Sequence, residues 1–278
     1  MYATKPDGTT LFYQEHGTGE PAIIFVHSLG NHDHYRQQID HFAHRHRVIA
    51  PDLAGFGAST ALPQRDHTFA NWADDLAWLC EQLDLRAAVI VGHSMSGAIA
   101  LELAADRPEL VCAAVLLDPV PIVPLPTFRQ GLVGLVQALQ GPHYREALRH
   151  FAETRQFRAT DDPDLRSRLI QDMCAVPQHV LVAVFASILA WDGERVGPRV
   201  KAPILQIVQG GGMPADLDRV HKAVPSLELG QTVGAGHWAH LIVPGQVNSM
   251  IERFLAIHSP ELLVPGQTPP DAALIGDR

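Results

Sequence analysis

The segment AVIVGHSMSGAIALELA, residues 88–104, constrains the fold of this chain more than any other. It begins as a continuous apolar run, which is typical of a buried parallel strand, and it ends with the composition of a buried helix. Between them lies a bend in which Gly92 and Gly97 flank two serines, Ser94 and Ser96. Small residues are needed where the backbone turns this sharply. The pattern predicts a strand–turn–helix that presents a side chain at the carboxyl end of a sheet.

Apolar strand patterns and helical patterns alternate along much of the remaining chain. The strand patterns fall at 10–15, 22–27, 48–52, 87–93, 112–118 and 202–208, and the helical patterns at 69–84, 95–106 and 245–257. The later strands are apolar throughout, as expected of parallel strands buried on both faces. The sequence therefore predicts an α/β fold with a mostly parallel open sheet and helices on both faces.

The alternation breaks between Asp118 and Lys201, where a proline-rich stretch leads into amphipathic segments without a strand pattern. These segments lie at 128–140, 143–157, 162–175 and 178–191. Open α/β sheets bind ligands at the carboxyl ends of their strands, so an insertion after such a strand is well placed to cover a site. We expect a core of 1–118 and 201–258, an inserted helical cap of 119–200, and a C-terminal tail of 259–278.

Ser94 is the better candidate for a nucleophile at the bend. It has Gly92 two residues before it, and Ser96 two residues after it takes the place of the second glycine of G-x-S-x-G. A nucleophile at Ser96 would lie two residues into the helix, away from the strand end. The alternative for Ser94 is a structural one, in which its hydroxyl only caps the helix.

A serine nucleophile needs a base, and a histidine base needs an orienting acid. His237 follows a glycine-bracketed loop in VGAGHWAHL, whereas we expect His240 on a helix side or toward the cap. Asp118 ends an apolar strand in VLLDPVP, although Asp-Pro is also a common turn former. The other candidate acid, Asp216, follows Pro214, where it is expected to begin a helix and interact with the helix dipole.

Four motifs together resemble the α/β-hydrolase family from about residue 4 to residue 258. They are VHSLGN, PDLAGFGAS, VGHSMSG and GAGHWAHL. The resemblance implies the α/β-hydrolase fold with a helical cap, a nucleophile at Ser94 and a base at His237. It also implies an oxyanion hole formed by the backbone N–H groups of Met95 and Leu29.

The chain departs from the family pattern at two places. The family commonly has His-Gly after the third strand, where this chain has His27 and Ser28. The family acid usually follows the seventh strand, where this chain has the glycines 210–212. The other position known in the family is the end of the sixth strand, and this favours Asp118 as the triad acid.

The sequence thus predicts a serine hydrolase that cleaves a small, moderately apolar ester or lactone through an acyl-enzyme on Ser94. A C–C bond hydrolase and a cofactor-free ring-cleaving dioxygenase on the same triad remain alternatives. A non-catalytic ligand-binding or receptor-like protein is an alternative of another class. The predicted cap offers few basic residues at apolar positions, which favours a moderately apolar substrate over a polyanion. Its apolar residues, most of which we expect to belong to the core, are Phe128, Leu132, Leu135, Phe157, Met173, Phe185, Leu189 and Trp191.

Charge and composition narrow the possible partners. The formal net charge is −9 without a Lys/Arg cluster, which disfavours nucleic acid. There is no uncharged apolar run of about 18 residues, and the start lacks the pattern of a secretory signal. These two features and the three widely spaced cysteines together predict a cytoplasmic protein without a membrane span. His32, Asp33 and His34 suggest a metal site, but no matching ligands recur, so we expect a small-molecule substrate and no metal or cofactor.

Overall fold

The computed structural model describes residues 1–60, 62, 64–209 and 215–258. The glycines 210–212 and the predicted tail 259–278 lie outside the described residues.

The described residues form one eight-stranded sheet, and this confirms the predicted fold class. The strands are β1 (Tyr2–Thr4), β2 (Thr10–His16), β3 (Ile23–Val26), β4 (Val48–Pro51), β5 (Ala88–His93), β6 (Val111–Leu117), β7 (Ile204–Val208) and β8 (Leu227–Gln231). Their order is β1-β2-β4-β3-β5-β6-β7-β8, with β1 and β2 antiparallel to their neighbours and the others parallel. The strand patterns do not include β1 and β8, which are short and partly exposed.

Helices cover both faces of the sheet, because successive residues of a buried strand point to opposite sides. The helices are α1 (Arg36–Phe42), α2 (Phe69–Gln82), α3 (Met95–Asp106), α4 (Pro126–Leu139), α5 (Tyr144–Arg155), α6 (Pro163–Ala175), α7 (Gln178–Ala190), α8 (Gly193–Val196), α9 (Leu217–Ala223), α10 (Ala239–Ile242) and α11 (Pro244–His258). On β5, Ile90 packs in the core that contains residues of α2 and α3. Its neighbours Val89 and Val91 pack in the core that contains residues of α1 and α11.

Helices α4 to α7 follow β6 and precede β7, and they correspond to the four predicted amphipathic segments. Helix α4 packs against α5 and α7, and α5 packs against α6. Among the described residues, no single helix has the length and apolar composition to cross a membrane. Helices α6 and α7 meet these criteria only when taken together, and they are bent by 99° relative to each other.

The parallel strands bring four chain segments to one edge of the sheet. His27 follows β3, Ser94 follows β5, Asp118 follows β6 and Gln209 follows β7. Because β3, β5, β6 and β7 are adjacent, these residues come from neighbouring strand ends. The topology therefore gathers residues from distant parts of the sequence at the carboxyl edge of the sheet.

A cluster of buried aromatic rings lies beside this edge. The ring of His240 is 4.5 Å from that of His93 and 5.0 Å from that of Tyr35, measured between centroids. Both ring nitrogens of His240 are buried without a hydrogen-bond partner among the described residues. Burial lowers the pKa of His240 and of His93 well below the usual histidine range. Both rings are therefore neutral in the folded protein at neutral pH.

Replacing His240 by phenylalanine should flatten the dependence of stability on pH. The unfolded chain protonates this histidine below about pH 6.5, while the folded chain does not, so its contribution to stability falls as the pH decreases. We expect the slope of the unfolding free energy between pH 5 and 6 to decrease by about 1 kcal/mol per pH unit in His240→Phe. Urea unfolding at several pH values measures this slope. An unchanged slope would contradict a buried neutral His240.

Candidate active site

The backbone at Ser94 is strained, as a nucleophile turn requires. Ser94 has φ +54° and ψ −115°, between the end of β5 and the start of α3. A Cβ at Gly92 would overlap the Ser96 carbonyl oxygen, and one at Gly97 would lie 2.6 Å from the Pro119 Cβ. The two glycines are therefore needed for close packing. Strain of this kind persists only where the surrounding structure enforces it.

Ser94 does not serve as a side-chain helix cap. It occupies the N-cap position of α3, yet its side chain makes no capping hydrogen bond. Its backbone is held instead, since its N–H donates to the Leu117 carbonyl at 2.9 Å and its carbonyl accepts from Val120 N–H at 3.1 Å. The structural alternative for this serine therefore fails, and its hydroxyl is available for chemistry.

Ser96 has a structural role of its own. It is fully buried, and its Oγ donates a hydrogen bond to the His27 carbonyl. His27 follows β3, so this bond joins the turn after β5 to the neighbouring loop. The second serine thus replaces the usual glycine with a side chain that fixes two loops relative to each other.

His237 and Asp118 are directly hydrogen-bonded. The His237 Nδ1–H donates to Asp118 Oδ2 at 2.6 Å, and both side chains are buried. This bond leaves Nε2 as the unprotonated nitrogen of the neutral ring. Nε2 is buried and has no hydrogen-bond partner among the described residues. His237 and Ser94 line the same cavity. The histidine is thus held in the tautomer that can accept a proton through Nε2.

Asp216 is used as a helix cap. Its side chain accepts a hydrogen bond from Arg219 N–H at 3.2 Å, at the start of α9. It neither contacts His237 nor lines the cavity that contains Ser94. Of the two candidate acids, the structure therefore brings Asp118 to the histidine and leaves Asp216 in the helix-start role expected from the sequence.

Gln209 is a residue of the site that the sequence patterns did not indicate. Its side-chain Nε2 donates to Asp118 Oδ2 at 3.3 Å, and its backbone N–H donates to Asp118 Oδ1 at 3.4 Å. Asp118 itself has a left-handed φ of +40°, which turns its side chain at the end of β6. A signal was available in principle, because Gln209 follows β7, where the family usually places its acid.

The two predicted oxyanion donors lie beside Ser94. Leu29 and Met95 line the cavity together with Ser94. Met95 is the first residue of α3, so its N–H has no acceptor within the helix. Leu29 N–H has no hydrogen-bond partner among the described residues. Two unpaired backbone donors next to a serine can stabilise an oxyanion.

His27 fixes the loop that carries Leu29. Its Nδ1–H donates to the Ser28 carbonyl at 2.6 Å, and its Nε2 accepts from Leu53 N–H at 3.0 Å. Burial lowers the pKa of His27 to about 4, so the ring is neutral and both bonds persist at neutral pH. The loop therefore stays ordered with Ser28 in place of the usual glycine.

A cavity of about 510 Å³ opens above Ser94. Its walls come from the edge of the sheet and from α4, α5 and α7, and they are mostly apolar. From these helices the lining residues are Thr127, Phe128, Gly131, Leu132, Phe151, Arg155, Val184, Phe185 and Ile188. Of the apolar cap residues proposed from the sequence, Phe128, Leu132 and Phe185 line the cavity. The others do not: Leu135, Phe157, Met173, Leu189 and Trp191.

The histidines suggested as metal ligands contact carboxylates from two other segments. His32 Nδ1 hydrogen-bonds Asp52 Oδ1 at 2.8 Å, and this contact contributes to a raised pKa of His32 against the opposing effect of burial. His34 Nε2 hydrogen-bonds Asp172 Oδ2 of α6 at 3.0 Å. These histidines therefore link the loop after β3 to two other segments, and neither lines the cavity.

Comparison with known families agrees with the observed fold. A family model described as alpha/beta hydrolase fold matches residues 21–174, more than half of the chain. This chain belongs to the α/β-hydrolase family. We therefore identify it as an enzyme of that family.

Similar proteins include a curated relative and two solved structures. The magnesium-chelatase 30 kDa subunit of Rhodobacter capsulatus is 29% identical over 251 residues, covering 83% of this chain and 85% of the relative. A thermophilic esterase from Thermogutta terrifontis superposes with a TM-score of 0.79 at 22% identity, over 93% of this chain and 97% of the esterase. An enol-lactonase from Burkholderia xenovorans LB400 superposes with a TM-score of 0.80 at 20% identity, over 92% of this chain and 100% of the lactonase. The two structures share the α/β-hydrolase fold with this chain.

The two candidate acids can be separated by labelling Ser94 with a fluorophosphonate. Asparagine at position 118 can donate to Nδ1 and so favours the tautomer with the proton on Nε2, which cannot accept the serine proton. We expect Asp118→Asn to slow labelling about a thousandfold or more, and Asp216→Asn to leave the rate within about twofold. Peptide mass spectrometry measures the labelled fraction over time. The reverse ranking would contradict the assignment of Asp118.

Proposed function

We propose that this protein is a serine hydrolase that cleaves a small, moderately apolar ester or lactone. The observation that carries the proposal is that Ser94 and His237 line the same cavity. The Ser94 hydroxyl makes no capping hydrogen bond, and His237 is hydrogen-bonded to Asp118 through Nδ1, so its Nε2 has no partner among the described residues. Serine becomes a nucleophile when a base takes its proton and fixed donors stabilise the resulting oxyanion.

In the proposed reaction, Ser94 Oγ attacks the substrate carbonyl carbon while its proton passes to His237 Nε2. The N–H groups of Leu29 and Met95 donate to the developing oxyanion. Asp118 accepts the Nδ1–H throughout and stabilises the imidazolium. Collapse of the tetrahedral intermediate breaks the ester bond, and His237 returns the proton to the leaving oxygen. Water then attacks the acyl-serine with His237 again acting as the base.

Within this proposal, α4, α5 and α7 act as a cap over the reacting groups. Their apolar side chains exclude water from the cavity and contact the substrate. The volume of about 510 Å³ suits a small molecule. The proposed partner is therefore a small-molecule substrate, and the reaction as written needs no cofactor.

A panel of short p-nitrophenyl esters and lactones tests this function, with oxygen uptake measured on aromatic heterocycles. We expect turnover of an ester or lactone and loss of about a thousandfold or more in His237→Ala, because the serine then lacks its base. Ser96→Ala is the matched control, since it removes the neighbouring hydroxyl and leaves the proposed base in place. Its turnover should remain well above that of Ser94→Ala.

Three results would contradict the proposal. Oxygen uptake without ester or lactone turnover would indicate the dioxygenase alternative. Ligand binding without turnover or labelling of Ser94 would indicate a non-catalytic protein. Covalent labelling at Ser96 in place of Ser94 would overturn the assignment of the nucleophile.

A further inference from the structure

An unpaired positive charge lies on the wall of the cavity above Ser94, on a solvent-exposed residue. Arg155 is the last residue of α5, and its side chain lines the cavity. Among the described residues its side chain makes no hydrogen bond or ion pair. None of the described lining residues is Asp or Glu. Arg155 is solvent-exposed, so its guanidinium lies where a mostly apolar cavity meets solvent and is a suitable partner for an anionic group of a ligand.

Helix geometry explains why Arg155 faces the cavity without an acidic partner. Residues four apart lie on the same face of a helix, and Phe151 and Arg155 both line the cavity. The residue three positions before Arg155 is Ala152, so neither helical neighbour can form an ion pair with it. Glu153 lies two positions before Arg155 and therefore points to a different face.

Gln156 supplies a second polar group next to Arg155. It caps the carboxyl end of α5 and lines the same cavity. Its Oε1 is buried without a hydrogen-bond partner among the described residues. This oxygen is an acceptor, so a hydroxyl or N–H group of a ligand can pair with it, whereas a carboxylate cannot. Its amide N–H groups can also donate to a carboxylate.

The position of this pair relates it to one part of the substrate. The Gln156 carbonyl lies 3.6 Å from where a Cβ on Gly236 would be, so the end of α5 is beside the residue before His237. His237 returns its proton to the leaving oxygen, and the leaving group therefore lies next to His237 when the ester bond breaks. The end of α5, which carries Arg155 and Gln156, is thus on the leaving-group side of the site.

We propose that Arg155, assisted by Gln156, binds a carboxylate carried by the leaving-group part of the substrate. The substrate class is then an ester or lactone with an apolar acyl part and an alcohol part that bears one carboxylate. This inference rests on the proposed hydrolase function for its orientation. The charge of Arg155 and its place in the cavity stand independently of turnover.

Matched substrates and variants test the proposal in turnover. The substrates are 4-carboxyphenyl butanoate and its neutral twin, 4-carbamoylphenyl butanoate. The variants are Arg155→Gln and Arg149→Gln, the second removing the same charge from an exposed position on α5 outside the cavity. Comparing each variant with the unmodified protein cancels the different reactivities of the two leaving groups.

We expect Arg155→Gln to lower kcat/KM for the carboxylate ester about fivefold to tenfold and to change that of the neutral ester less than about twofold. Arg155→Lys should recover part of the loss, and Arg149→Gln should affect neither substrate. Equal effects on both esters, or equal effects of the two glutamine variants, would overturn the proposal. A third substrate, phenyl hemiglutarate, carries its carboxylate on the acyl part. If Arg155→Gln lowers kcat/KM for this ester alone, the placement of Arg155 on the leaving-group side is wrong.

A binding measurement separates failure of this inference from failure of the hydrolase function. Calorimetry on Ser94→Ala compares 4-hydroxybenzoate with 4-hydroxybenzamide, the two leaving groups, without any reaction. We expect Ser94→Ala to bind 4-hydroxybenzoate more tightly than 4-hydroxybenzamide. This preference should be lost in Ser94→Ala/Arg155→Gln and kept in Ser94→Ala/Arg149→Gln. Equal binding of the two phenols would refute the carboxylate site even if the esters are hydrolysed. Preferential binding without ester turnover would support the site and count against the hydrolase function.

Discussion

The hydrogen bond between Asp118 and His237 is the interaction on which the candidate site depends. It joins residues 119 positions apart in the chain at a distance of 2.6 Å. Because β6 lies next to β5, the strand carrying Asp118 ends beside the turn carrying Ser94. The His237 carbonyl is held at the same strand end by a hydrogen bond from His93 Nε2 at 2.9 Å. The bond fixes the tautomer of His237 and leaves Nε2 available to a proton from the cavity. Gln209 supports the carboxylate from the end of β7, on the other side of β6.

A second set of hydrogen bonds connects the loops that carry the proposed catalytic groups. Ser96 links the turn after β5 to the loop after β3, and His27 links that loop to Leu53 after β4. The proposed nucleophile and the proposed oxyanion donors therefore belong to one hydrogen-bonded unit. This matters chemically, because an oxyanion hole is effective only when its donors are fixed before the reaction begins.

Much of this arrangement could be predicted from the sequence. The glycines around Ser94 and the apolar runs define the elbow and the parallel strands, since strained turns and buried strands each demand particular residue types. The bond of Ser96 to a distant carbonyl and the support from Gln209 could not be predicted. Both depend on which strand ends are neighbours, and no local pattern encodes that. The short strands β1 and β8 were likewise missed because their partly exposed residues give a weak pattern.

The most direct test of the central claim, that Asp118 holds His237 in its working tautomer, is a proton NMR measurement of the Nδ1–H resonance. A short hydrogen bond to a carboxylate deshields this proton strongly, and His237→Gln identifies the signal. We expect the resonance to be lost or to move far upfield in Asp118→Asn and to be unchanged in Asp216→Asn. Persistence of the resonance in Asp118→Asn, or its loss in Asp216→Asn, would contradict this claim.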